Sequence, residues 1–271
     1  MALPVAVQVY SVRDDAQADI RGTLKQIKEM GYDGVEFARM HGSTPEELKA
    51  LCEEFGLVPV SAHVPYADLI ADTKGTLAQY AAIGCQYIAI PYLGEAERPG
   101  GEKFAEVIEN IKMIGKEARA QGMQLLYHNH DFEFIKLDGK YGLDVLYEST
   151  CHECLQTELD TCWVNVGGEN PSEYLMKYAG RSPVVHLKDF YGEKSEDMYE
   201  LIGIEKNKPV RPSNFEFRPI GSGLQDISAI LKASEAAGAK WLVVEQDNPS
   251  MGLTPMESIA KSREYLKTLG Y

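Results

Sequence analysis

Eight short strand-like runs recur along the chain, most of them apolar without polar alternation, and most follow a stretch with helical spacing of its apolar positions. They are Val5–Tyr10, Gly34–Phe37, Val58–His63, Tyr87–Ile90, Leu125–His128, Leu155–Asp160, Val184–Leu187 and Trp241–Glu245. Such runs suit strands buried on both faces. Six of the helix-like stretches end at a glycine, Gly31, Gly56, Gly84, Gly122, Gly180 or Gly238, where the left-handed turn past a helix favours that residue. Helices are expected near 19–30, 44–55, 72–83, 101–121, 142–150, 171–179, 225–236 and 255–268. Thr44 before Pro45, Asn170 before Pro171 and Thr254 before Pro255 supply a capping residue with proline in the first turn.

Eight strand–helix units in 271 residues predict one domain over 1–271, an α/β fold of the (β/α)8 TIM-barrel type. An open doubly wound sheet is the rival. Its usual glycine-rich turn after the first strand is replaced here by Tyr10-Ser-Val-Arg-Asp14. In a closed barrel the carboxyl ends of all strands share one face. Glu36, His63, His128, His186 and Glu245, which stand at or near the ends of greasy runs, would then converge on one site. A long irregular stretch, 190–223, is expected as a loop or lid on that same face.

Composition changes the picture only by exclusion. A chain with 44% hydrophobic and 25% charged residues suits a large buried core, and its net charge of −14 argues against nucleic acid. No run reaches the roughly 20 apolar residues of a membrane span, so a cytoplasmic enzyme is expected. Five cysteines show no disulfide framework, and Cys151-His-Glu-Cys154 lacks the second pair of a zinc site. Reduced thiols are the expectation.

Asp160, His186 and Glu245 come from the sixth, seventh and eighth runs, and His128 and His130 share one face of the fifth by the two-residue period. Two carboxylates with one or two imidazoles form a mixed donor set for Mn2+, Co2+, Fe2+ or Zn2+. For any one of these residues alone, a hydrogen-bonded place on the rim is the competing reading. Several at equivalent strand ends point instead to a metal site.

Several segments resemble the xylose isomerase-like TIM barrels of the sugar phosphate isomerase/epimerase type. They are Val7–Asp14, Gly31–Glu36, Tyr127–Glu133, Leu159–Thr161, Trp163–Val164, His186–Asp189 and Val244–Glu245. The resemblance implies one divalent metal, Mn2+ first with Co2+, Mg2+, Fe2+ or Zn2+ as alternatives, held by Asp160, His186 and Glu245. The fourth family ligand, a glutamate, falls on His128, while Glu133 lies past the strand end. The resemblance further implies a small sugar as substrate; Glu245 is the expected base, and His128, Glu133, His63 or His130 the second proton-transfer group. The Tyr127-His-Asn-His130 run also resembles keto-inositol dehydratases of the same superfamily, so a dehydratase or lyase stays open beside an isomerase or epimerase. A non-catalytic sugar-binding barrel is the third reading, and a homo-oligomer is compatible with all three.

Glu36, His63, His130, Lys188, Arg218 and Trp163 are the expected substrate contacts around this centre. Arg13 and Arg39 are further candidates for an anion, the Gly221-Ser-Gly223 turn for a phosphate, and Tyr10, Tyr66 and Phe132 for stacking on a sugar.

Overall fold

The computed structural model describes residues 2–194 and 214–271. Eight parallel strands close into a barrel: β1 (Val5–Gln8), β2 (Gly34–Phe37), β3 (Val58–His63), β4 (Tyr87–Ile90), β5 (Gln124–His128), β6 (Gln156–Asp160), β7 (Val184–Leu187) and β8 (Trp241–Val244). Each pairs with its neighbours in sequence. The ring closes where Val5 and Val7 of β1 lie opposite Leu242 and Val244 of β8. The outer helices follow in order: α1 (Ile20–Met30), α2 (Pro45–Phe55), α3 (Thr73–Ile83), α4 (Phe104–Ala120), α5 (Gly142–Glu148), α6 (Pro171–Lys177), α7 (Ile227–Ala237) and α8 (Pro255–Thr268). α2 and α8 open on capping boxes, in which Thr44 with Glu47 and Thr254 with Glu257 satisfy each other's backbone amides.

Strand alternation divides the side chains into two sets. Outward residues such as Val35, Leu125, Tyr127, Leu159, Val185 and Leu242 join the large core beneath the helices. Inward residues change character along each strand. Toward the amino ends, Ala6, Val60, Ala89, Leu126, Val184, Trp241 and Val243 make a second apolar cluster inside the barrel. Two residues further on, the inward positions are polar: Gln8 after Ala6, Glu36 after Gly34, His128 after Leu126, His186 after Val184 and Glu245 after Val243. The barrel thus has a dry floor and a charged mouth.

The expected loop over 190–223 is described only at its ends, and residues 195–213 lie outside the described residues. Those ends form an antiparallel ribbon, Asp189–Tyr191 against Glu216–Arg218. The Gly221–Gly223 turn does not present its amides outward. Gly221, Gly223 and Gln225 donate their N–H groups to the Asp189 carboxylate, which takes the place a phosphate would have occupied. Cys151 and Cys154, expected as free thiols, form a disulfide, because the turn before β6 brings their Cα atoms to 5.0 Å. Among the described residues, no helix is long and apolar enough to cross a membrane.

Candidate metal centre

The strand ends bring two groups of potential ligands together inside the mouth. Donor atoms of His128, Asp160, His186 and Glu245 all lie within 4.8 Å of one another, and so do those of His63, His128, Glu158 and His186. Asp160, His186 and Glu245 therefore lie close enough to share one ion. All these side chains are buried.

In the outer group, Asp160 Oδ1 caps the short helix Thr161–Val166 by accepting from the Trp163 amide at 2.9 Å. Its Oδ2 makes no hydrogen bond, with Lys188 Nζ and His128 Nε2 each 3.8 Å away. Burial pushes the Asp160 carboxyl up to about 7 against the pull of Lys188. Glu245 lies 3.1 Å from His186 Nδ1 and 3.0 Å from Lys188 Nζ. Burial opposes its charge, but Lys188 and His186 hold it well below the usual carboxylate range. His186 turns its other nitrogen, Nε2, to Glu36 at 2.8 Å. Glu36 is fixed in turn by Gln8 Nε2 at 2.6 Å and by the Ser61 hydroxyl. A carboxylate behind a histidine fixes the ring's tautomer and aims its free nitrogen, the usual support of a histidine metal ligand.

A divalent cation fits these residues. Two imidazoles and two carboxylates supply the mixed donor set, and the buried, unbonded Asp160 Oδ2 is an oxygen that lacks a partner without one. His128, driven well below its ordinary value by burial and then by the neighbouring His186 and His63, stays neutral as a ligand must.

Above the centre opens a cavity of 280 Å³. His63, His128, His130, Lys188, Glu245 and Asp247 bring chemistry to its wall, while Tyr10, Pro65, Pro91 and Tyr92 give it apolar surface and Arg39 a cation. His130 packs between Phe132, stacked at 5.3 Å, and Trp163 at 5.2 Å. Lys188 lines the cavity with its charge engaged by Asp247 at 2.6 Å and Glu245 at 3.0 Å. Trp163 is wholly buried behind it, its ring 5.3 Å from the lysine nitrogen.

Four expected catalytic or substrate-binding residues do not line the cavity: Trp163 and Glu36 are wholly buried behind Lys188 and His186, and Glu133 and Arg218 lie elsewhere. Glu133 is buried behind β5, where its two oxygens accept from the Tyr127 hydroxyl and from the His130 amide at 2.8 Å. Arg218 sits on the outer ribbon, paired with Glu216 and 5.3 Å from the Tyr191 ring. Conversely, Glu158, Asp247, Gln8 and Ser61 are part of the centre without having been expected there. For Glu158 and Gln8 the signal was present: each lies two residues from an inward position on its own strand.

With this geometry in view, the sequence model of the xylose isomerase-like TIM barrel family matches residues 24–269. Curated relatives include the inosose dehydratase of Clostridium beijerinckii, 27% identical over 172 residues, which cover 61% of this chain and 54% of that protein. The chain thus spans about half the length of that relative. The inosose dehydratase of Geobacillus kaustophilus is 24% identical over 280 residues, covering 91% of this chain and 86% of that protein. Among solved structures, a sugar phosphate isomerase/epimerase from Parabacteroides distasonis superposes with a TM-score of 0.79 at 22% identity, over 98% of each chain. L-Ribulose 3-epimerase gives 0.72 at 17% identity, over 100% of this chain and 94% of its own. These structural likenesses speak to the fold alone.

Proposed function

Because the chain belongs to the xylose isomerase-like TIM barrel family, we propose that it is a divalent-metal-dependent isomerase or epimerase of a keto sugar or sugar phosphate. The observation that carries this reading is the convergence of His128, Asp160, His186 and Glu245 within 4.8 Å at the base of a sugar-sized cavity. A divalent cation held by these four residues, Mn2+ first among the candidates, would polarise a carbonyl and favour loss of the proton beside it.

The remaining chemistry belongs to the side chains. Glu245 lines the cavity and is kept ionised by Lys188 and His186, which suits it to accept the proton. Returning that proton to the opposite face or to the neighbouring carbon needs a second group. His63 and His130 line the same cavity, whereas the Glu133 oxygens are engaged elsewhere. Glu36 holds the His186 ring, and Lys188 fixes Glu245 and Asp247. Tyr10 and Tyr92 offer apolar faces on which the carbon skeleton of a sugar can lie.

A second reading is a dehydratase or lyase of a keto sugar or inosose. It is favoured by the inosose dehydratases among the relatives and shares the first proton abstraction. It would then expel a hydroxyl from the adjacent carbon, with a cavity histidine supplying the proton. Incubating ketoses and inososes with the Mn2+-loaded protein in D2O separates the outcomes. Deuterium gained with unchanged composition supports the isomerase or epimerase, and loss of water supports the dehydratase. Binding without exchange would leave a non-catalytic sugar-binding barrel. We expect Glu245→Gln to abolish the exchange. Undiminished turnover in that variant removes Glu245 as the base.

A further inference from the structure

The Cys151–Cys154 disulfide lies outside the chemistry of the mouth. It closes the turn between α5 and β6, at the amino end of the barrel, with Cys151 exposed and Cys154 half-buried. The other cysteines, Cys52, Cys85 and Cys162, are buried free thiols. Burial pushes the Cys52 thiol up to about 12 and raises the other two as well, so none of these is a ready nucleophile.

As a staple the bridge has little to do. A disulfide stabilises chiefly by restricting the unfolded chain, and the restriction grows with the loop it closes. Here only His152 and Glu153 lie between the two cysteines. The turn is also fixed without the bridge. Arg181, just ahead of β7, donates to Tyr147 O at 2.8 Å, to Leu155 O at 3.0 Å, and to Thr150 O and Thr150 Oγ1 at 3.1 Å each. His152 Nε2 donates to the Gly180 carbonyl at 2.9 Å, and the Leu155 N–H to Cys151 O at 3.0 Å. Gly115 of α4 packs against the Cys154 backbone. With these ties in place, opening the S–S bond leaves the sulfurs near each other and able to close again.

The two sulfurs are not equivalent. The Cys154 N–H, 2.9 Å from Cys151 O, also reaches Cys151 Sγ at 3.1 Å. A donor aimed at sulfur favours its thiolate. Cys151 is thus the more exposed cysteine and the one whose thiolate is supported.

We infer that Cys151 and Cys154 form a reversible thiol–disulfide exchange site that takes a vicinal dithiol as co-reactant, with Cys151 the sulfur attacked. A thiolate of the dithiol attacks Cys151 Sγ, the S–S bond breaks, and Cys154 leaves as a thiolate that takes a proton from water. The second thiolate of the dithiol then attacks its own partner sulfur in the mixed disulfide. Cys151 leaves as the thiolate that the Cys154 N–H supports, and is protonated in turn. The protein gains two electrons and two protons, and the dithiol becomes a cyclic disulfide. This exchange does not depend on the sugar chemistry proposed for the mouth.

The full chain, folded, is equilibrated with mixtures of reduced and oxidised dithiothreitol, quenched in acid, alkylated in denaturant and weighed intact. Three labels per chain are expected in the oxidised form, from the three free cysteines, and five in the reduced form. The two forms should interchange in both directions, with melting temperatures within a few degrees of each other. Three labels at every ratio, five at every ratio, or unfolding on reduction overturns the exchange site. With oxidised glutathione as probe, Cys154→Ser should form its mixed disulfide several-fold faster than Cys151→Ser, circular dichroism confirming that both fold. Equal rates or the reverse order remove Cys151 as the attacked sulfur. The titration of the unaltered chain stands without either variant.

Discussion

Lys188 shows how much of the site depends on one side chain. Its amine lies 2.6 Å from Asp247, 3.0 Å from Glu245 and 3.8 Å from Asp160, with the Trp163 and Phe217 rings 5.3 and 5.1 Å away. Burial works against its charge, yet Asp247 and Glu245 more than reverse this and raise its value well above that of a free lysine. Lys188→Met removes the charge and keeps the stem's bulk, leaving two buried carboxylates without their cation. We expect a loss of about 3–5 kcal/mol in the metal-free protein, read from urea denaturation. Stability equal to the parent chain would mean that these carboxylates do not depend on the lysine. The sequence showed Lys188 on the right face but not what engages it. Asp247 lies beyond the end of β8, where no period applies. Asp160, His186 and Glu245 were legible as a group, since each stands at or next to the end of a run whose parallel partners end at the same level. Glu158 is hidden in sequence because Asp160 two residues on, at the strand end, shares its face and is the more conspicuous of the two.

At the scale of elements, helix limits were legible wherever a cap marks them. Pro45, Pro171 and Pro255 each open a helix at the expected place, and Gly31, Gly56, Gly84 and Gly238 close helices in the left-handed conformation. Contacts between elements were not legible, because they depend on which surfaces meet. Asp144 of α5 accepts from Tyr174 at 2.8 Å, Tyr178 at 2.5 Å and Lys177 at 2.6 Å, tying α5 to α6 and the turn that follows. Burial alone would raise this carboxyl, but the bonds from Lys177, Tyr178 and Tyr174 outweigh it and hold it below its ordinary value. A depressed value in the folded state means that the stabilisation is present above the unfolded carboxylate's range, about 4. It is lost as the pH falls through the folded value. Asp144→Asn should therefore cost about 1–3 kcal/mol near neutrality, and its deficit should shrink below about pH 4. Parallel stability curves for the two proteins across that interval would rule the linkage out. Gly115 of α4 is a second such contact. A methyl there would run into the Cys154 carbonyl, so Gly115→Ala should destabilise the chain by about 1–3 kcal/mol despite its better helix propensity. A higher melting temperature for that variant would mean that the turn before β6 yields easily.

For the whole molecule, the barrel was predictable because eight similar units leave few ways to bury eight two-faced apolar strands. The gradient inside it, dry floor to charged mouth, has a thermodynamic consequence. The floor cluster of Val60, Leu126, Val184, Trp241 and Val243 stabilises the closed ring, whereas the mouth gathers like charges that repel when no cation is present. An ion that binds the folded chain and not the unfolded one stabilises by mass action, about 2.7 kcal/mol at a hundred times its dissociation constant. For a chain of this size that corresponds to roughly 5–10 °C in melting temperature. Mn2+ should therefore raise the melting temperature progressively with concentration, and chelator should reverse the rise. Asp160→Asn separates this effect from unspecific salt screening. Replacing a buried carboxylate whose Oδ2 lacks a hydrogen bond should leave the ion-free variant at least as stable as the parent, while most of its response to Mn2+ disappears. Should the variant gain as many degrees as the parent, the ion is acting elsewhere on this acidic surface and not at the mouth of the barrel.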